Sequence, residues 1–118
     1  MEAKRTGVKA TPTRRRGVPS KWEASARDEL RGGGQTWHHE AITLVIGAGG
    51  NGLRRATYTP DWLVHGSLRP SLYEVKGWRG GANRAGMVAF RAAAAQWGWL
   101  FHFALAEGGP GAWKVTWI

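Results

Sequence analysis

Apolar and polar positions divide the chain into segments of different period. Residues 1–18 (MEAKRTGVKATPTRRRGV) carry no apolar repeat, which predicts a flexible arm with no core-facing side. Pro19-Ser20 then leads into KWEASARDEL, where Trp22, Ala26 and Leu30 fall on one stripe and predict a helix. Ser20 with Glu23 three residues later forms a capping box at its start, and Gly32-Gly33-Gly34 ends it. TWHHEAITLVI predicts a strand over 36–46, LRRATYTPDWLV a second over 53–64 and LYEVKG a third over 72–77, with turns at 47–52 and 65–71. Over 83–97, Met87, Phe90, Ala94 and Trp97 recur at helical spacing until Gly98 stops them. WLFHFAL (99–105) and AWKVTWI (112–118) close the chain as strands around a glycine-rich turn. The expected order is helix, three antiparallel strands, helix, strand, strand. It predicts an α/β domain over 19–118 with a mixed central sheet flanked by helices.

One pattern is a decoy. Gly47 to Gly52 spells GxGxxG after an apolar strand, but a dinucleotide site needs a helix N-terminus directly behind it. The β-branched, proline-broken LRRATYTPDW follows instead, so the glycines read as a hairpin tip.

Composition narrows the partners. With 17 Lys+Arg against 8 Asp+Glu the net charge is +9, which favours polyanions, and nucleic acid is the usual one. Arg outnumbers Lys 12 to 5, and its planar donors suit phosphate. No apolar run approaches the roughly 20 residues that span a bilayer, and the basic N-terminus lacks the apolar stretch of a secretory signal. The absence of cysteine excludes disulfides, thiolate metal sites and cysteine nucleophiles. These features read as a soluble, cytoplasmic protein. The eight tryptophans read mainly as core and rim packing, with a few left to stack on bases or to anchor a subunit interface.

The chemistry-bearing stretch is Tyr58-Thr59-Pro60-Asp61-Trp62, followed by Tyr73-Glu74-Val75-Lys76-Gly77. Strand alternation puts Glu74 and Lys76 on one face, and Asp61 lies on the preceding strand, which can pair with theirs. Two carboxylates can hold a hard divalent cation, typically Mg2+, and a neighbouring lysine can orient an attacking water and stabilise developing charge. Glu and Lys two apart on a strand are often only a solvated face, and Pro-Asp is a common turn dipeptide. The combination, on a basic chain with few acids elsewhere, is the informative signal.

This arrangement resembles the PD-(D/E)XK nuclease superfamily, with Pro60-Asp61 and Glu74-Val75-Lys76 as the signature. The resemblance covers about residues 20–105 and is strongest to phage-encoded Holliday junction resolvases and related phage endonucleases. It implies a restriction-endonuclease-like core (αβββαβ). It also implies a Mg2+-dependent endodeoxyribonuclease in which Mn2+ substitutes, acting on DNA such as a four-way junction and working as a homodimer. Asp61 and Glu74 would then hold metal, the Val75 carbonyl would add a ligand, and Lys76 would serve the water. Glu23 matches the acid those enzymes carry on the first helix, although its capping role competes; Glu29 is the alternative on the same helix. Glu40, opening the first strand, is a further candidate ligand. Another nicking or restriction-like phage nuclease, or a non-catalytic basic binding module, is the alternative reading.

For DNA contact the candidates are Arg14, Arg15 and Arg16 in the arm, Arg54 and Arg55 at the hairpin, and Arg79, Arg84 and Arg91 after the ExK strand. Arg84 and Arg91, seven apart, share a helix face. His38-His39-Glu40 suggests zinc, but adjacent strand residues point to opposite faces and do not readily hold one ion.

Overall fold

The computed structural model describes residues 17–50, 54–66, 69–78 and 84–118. Arg14, Arg15, Arg16 and Arg79 therefore lie outside the described residues.

The first helix, α1 (Lys21–Leu30), begins where its cap closes. The Glu23 amide donates to Ser20 Oγ at 3.2 Å and the Ser20 amide to Glu23 Oε1 at 2.9 Å, the reciprocal pair the sequence predicts. The strands are β1 (Thr36–His39), β2 (Leu44–Gly47), β3 (Ala56–Tyr58), β4 (Trp62–His65), β5 (Ser71–Gly77), β6 (His102–Gly108) and β7 (Lys114–Trp117), with helix α2 (Arg84–Trp97) between β5 and β6. The main sheet is mixed, in the order β1-β4-β5-β6-β7; only β5 and β6 run parallel, joined across α2 as a βαβ unit.

Two expected strands are each broken in two. The segment 36–46 divides into β1 and β2, and 53–64 into β3 and β4, so that β2 and β3 form a separate antiparallel pair. The break has a local cause on each side. Pro60 has no N–H to give a ladder, and Glu40 adopts φ 47, a left-handed conformation that ends β1. The two bends are tied together by the Glu40 amide donating to the Asp61 carbonyl at 3.0 Å, and by the Thr43 and Thr59 hydroxyls at 2.7 Å. The glycines of the decoy motif lead into β3, not a helix, and β2 pairs with β3 as a hairpin.

The strand expected over 99–105 starts three residues later. Leu100 and Phe101 amides bond back to the Trp97 carbonyl, continuing the turn at the end of α2. Parallel pairing with β5, from Ser71 opposite His102 to Gly77 opposite Gly108, then sets the length of β6.

Alternation along β5 and β6 divides the core. Leu72, Phe103 and Leu105 pack with Phe90 and Ala93 of α2 and with Leu44 and Tyr58 of the hairpin. Tyr73, Ala104 and Ala106 pack on the other face with Trp37, Trp62, Val64 and Leu30 of α1. The helices thus flank the sheet. Trp62, 1% exposed, donates its indole N–H to the Glu23 carbonyl at 3.1 Å and fastens α1 to β4. Among the described residues no helix is long and apolar enough to cross a membrane.

Phe90 is fully buried where α2, the hairpin and the sheet meet. Phe90→Ala is expected to destabilise the protein by about 3–5 kcal/mol in urea titration. Val88→Ala, at a position 67% exposed on the same helix, should change stability by less than about 0.5 kcal/mol.

Candidate functional site

The bend at Pro60 does more than end a strand. β4 starts at Trp62 and pairs with β5 only as far as Tyr73, so the second half of β5 has no β4 neighbour. The Val75 amide, left without a ladder partner on that side, donates instead to Asp61 Oδ2 at 2.7 Å. Asp61 thus takes the place of a backbone acceptor, and its carboxylate is held against β5 beside Glu74.

Glu74 is held from the hairpin. Tyr58, at the end of β3, donates its hydroxyl to Glu74 Oε1 at 2.6 Å and packs edge-on against Phe90. Burial, together with the neighbouring Glu74 charge, pushes the Tyr58 hydroxyl far above its ordinary pKa, so it remains a donor. Lys76, two residues on, is partly exposed on the same face of β5.

Glu23 completes the acidic group. It is 8% exposed and is the buried charged residue of the described core. Its Oε1 accepts the Ser20 amide and lies 2.9 Å from His39 Nε2, and its side chain also hydrogen-bonds with Asp61. The cap and the acidic cluster therefore use the same residue.

Electrostatics follow from this crowding. Burial pushes the Asp61 carboxyl up to about 9, and the Glu74 and Glu23 charges add to it, against the Val75 amide that pulls it down. The Glu74 carboxyl is also raised, chiefly by burial and further by Glu23, while Tyr58 and Lys76 act in the opposite direction. A cleft of about 160 Å3 opens over the group, lined by Trp22, Glu23, Glu74, Val75 and Lys76 among others. Asp61 sits behind this lining, bonded to Val75. The donors are all hard oxygens, the class that suits Mg2+ or Mn2+. Among the described residues no three His, Asp or Glu side chains are already gathered as a metal cage. Mg2+ typically needs only one or two carboxylates, the rest of its shell being water and phosphate.

The other candidates separate. Glu29 accepts the Gly111 amide in the turn before β7, so it serves the β6–β7 connection. Glu40 brings its backbone to Asp61, but its carboxylate lies 3.9 Å from His39 Nδ1 and does not line the cleft. His38 and His39 face opposite ways, as alternation requires. His38 stacks on His65 with Nε2 atoms 3.0 Å apart at the surface, while His39 packs against Trp62 and reaches Glu23. Arg54, Arg55 and Arg91 are exposed, and Arg84 opens α2.

Two contributors escape a reading of the sequence alone: Tyr58 and His39. The alternation that turns His38 outward already turns His39 inward. Nothing in the local pattern pairs Tyr58 with Glu74, because the contact depends on the hairpin folding back over β5. No family model, curated protein or solved structure matches the chain.

Asp61 should leave a pH signature. From its ordinary 3.8 its carboxyl moves to about 9 in the fold, so between those values the folded chain keeps a proton that the unfolded chain releases. The group's contribution to stability is full below about pH 4 and lost as pH rises towards about 9. In metal-free buffer Asp61→Asn is expected to melt like the wild type near pH 4 and several degrees higher near pH 8, at roughly 4–8 °C per kcal/mol. Calorimetry across this range checks it; a gap that fails to widen with pH would contradict the crowding.

Proposed function

We propose that the chain is a divalent-metal-dependent endodeoxyribonuclease with a restriction-endonuclease-like core, acting on branched DNA such as a four-way junction. The observation that carries this reading is a cleft lined by Glu23, Glu74 and Lys76, with Asp61 crowded against those two acids behind it, in a chain with net charge +9. A protein that only bound nucleic acid would gain nothing from acids where phosphate must approach. Raised carboxyl groups fit a cation site, because a divalent ion reverses the mutual repulsion that disfavours their ionised forms.

When bound, such a cation offsets phosphoryl charge and makes water more acidic. The residues of the chain do the remainder. Asp61 and Glu74 present the ligand oxygens, each fixed by a neutral donor, the Val75 amide and the Tyr58 hydroxyl. Glu23, bonded to Asp61, Ser20 and His39, sets the back of the site. Lys76, beside Glu74 in the cleft, orients the attacking water and stabilises the charge that develops on the phosphoryl oxygens. Exposed Arg54, Arg55 and Arg91 contribute phosphate contacts without sequence preference. Symmetric cutting of a junction requires two sites, hence a homodimer; the edge strand β7, with Trp117 and Ile118 exposed, offers surface for it.

Cleavage of a labelled four-way junction should require Mg2+ or Mn2+. Asp61→Asn, Glu74→Gln and Lys76→Met should each slow it by about 100-fold or more while leaving junction binding within a few-fold. Glu29→Gln should cut at the wild-type rate. Full Mg2+-dependent activity in Asp61→Asn would sink the mechanism, and binding without any product would favour a non-catalytic module. Linear duplex, flap and single-stranded DNA assayed in parallel show whether the junction is preferred.

Tyr58→Phe keeps the ring packed against Phe90 and removes only the hydroxyl that holds Glu74. It is expected to lower kcat by roughly 10-fold with little change in DNA affinity, since a misplaced charged group loses transition-state stabilisation. A change in affinity alone would argue against a positioning role.

A further inference from the structure

Trp78 follows β5 directly, two residues past Lys76, and its ring is 65% exposed. A large aromatic left this open needs a reason, since burial is its ordinary fate. Its position is nevertheless fixed. The Trp78 amide donates to the Gly108 carbonyl at 2.8 Å, and its ring meets Trp22 edge-to-face with centroids 6.5 Å apart. Trp22 is in turn packed edge-on against Trp113 at 6.3 Å and lines the cleft beside Glu23 and Glu74.

Two glycines make room for this pair. A Cβ on Gly77 would come within 2.6 Å of Trp22 Cδ2, and one on Gly109 within 2.6 Å of Trp78 Cε3. The indoles therefore lie directly on the backbone, Trp22 half-buried and Trp78 open to solvent. The lip of the cleft is an aromatic shelf, and Lys21 lies over the Trp22 ring at 5.6 Å.

We propose that Trp78, braced by Trp22, stacks on a nucleobase left unpaired or unstacked beside the scissile phosphate, so that the substrate is DNA with an exposed base face at or next to the cut. This rests on the nuclease reading above. In continuous duplex both faces of every base are covered by its neighbours, so a protein ring finds a base face only at a branch, flap, gap or single strand. Acids and a lysine share the cleft, which makes it hostile to a lipid chain, whereas the net charge of +9 draws a polyanion towards it. Arginines and lysine hold the backbone of any sequence, and the shelf selects the strand with an exposed base face.

The test measures binding in an Asp61→Asn background, where cleavage does not intrude, by anisotropy of labelled single-stranded, flapped and fully paired oligonucleotides. Adding Trp78→Ala should weaken binding to the single-stranded and flapped probes by roughly tenfold or more, and to paired duplex by less than about twofold. Trp78→Phe should restore most of the loss. Gly109→Ala, which pushes the Trp78 ring off its seat, should reproduce the selective loss with the indole still present. Melting curves confirm that each variant is folded.

Equal weakening on paired and unpaired probes, or no weakening, overturns the proposal. Wild-type cleavage in Mg2+ is scored separately. Cleavage without the selective loss removes the shelf and leaves the nuclease. Selective loss without any cleavage keeps the shelf and removes the nuclease.

Discussion

Crowding three carboxylates into one half-dry corner is the constraint around which the molecule is arranged. Buried like charges are tolerated only when neutral donors, a proton or a cation answer them. Here each acid has its own donor, drawn from a different part of the fold. Asp61 takes a backbone amide of β5, Glu74 a tyrosine hydroxyl of the hairpin, and Glu23 the cap of its own helix together with His39. Loss of any one element would release an acid from its neighbours. The site is thus a junction of elements, not a property of one strand.

The same junction explains why the sheet divides. Had 53–64 continued as one straight strand, β4 would have covered the second half of β5 and taken the Val75 amide for its ladder. Pro60 prevents this, and the left-handed Glu40 lets the partner strand bend at the same level. The hairpin swings over towards α2, where the Gln96 and Trp97 side chains donate to the Ile46 and Val45 carbonyls. That swing brings Tyr58 onto Glu74. A break that weakens the main sheet is what opens the cleft and supplies one of its positioning groups.

Local pattern carried much of this architecture. The capping box, the Trp22-Ala26-Leu30 stripe and the Met87-Phe90-Ala94-Trp97 stripe predict α1 and α2 nearly to the residue, because caps and helical periodicity act over a few positions. Alternation predicts that Glu74 and Lys76 share a face and that His38 and His39 do not. The missed features are those set by distant partners. Whether a β-branched run bends depends on what pairs with it, so β1 and β2 read as one strand and β3 and β4 as another. The start of β6 depends on its register with β5, thirty-one residues away from Ser71 to His102. On the first helix the sequence takes Glu23 as the site acid and Glu29 as the alternative; long-range contacts separate them, since Glu29 engages the β6–β7 turn while Glu23 reaches Asp61 and His39.

Charge distribution sharpens the argument for a cation in the proposed mechanism. The chain has 8 acids against 17 Lys and Arg, and it gathers Glu23, Asp61 and Glu74 into one place while Arg54, Arg55 and Arg91 are exposed. The long-range field attracts a polyanion, and the last few ångströms repel it. Lys76 is one positive charge beside three acids, too few to reverse that local sign. Protonation relieves the repulsion at Asp61 in the free protein, but a neutral carboxyl offers phosphate no charge compensation. A divalent cation would do both: it would restore the ionised carboxylates and turn the cleft attractive to phosphate. On the proposed reading, attraction at a distance and repulsion at contact would be reconciled by a cation bound beside these acids.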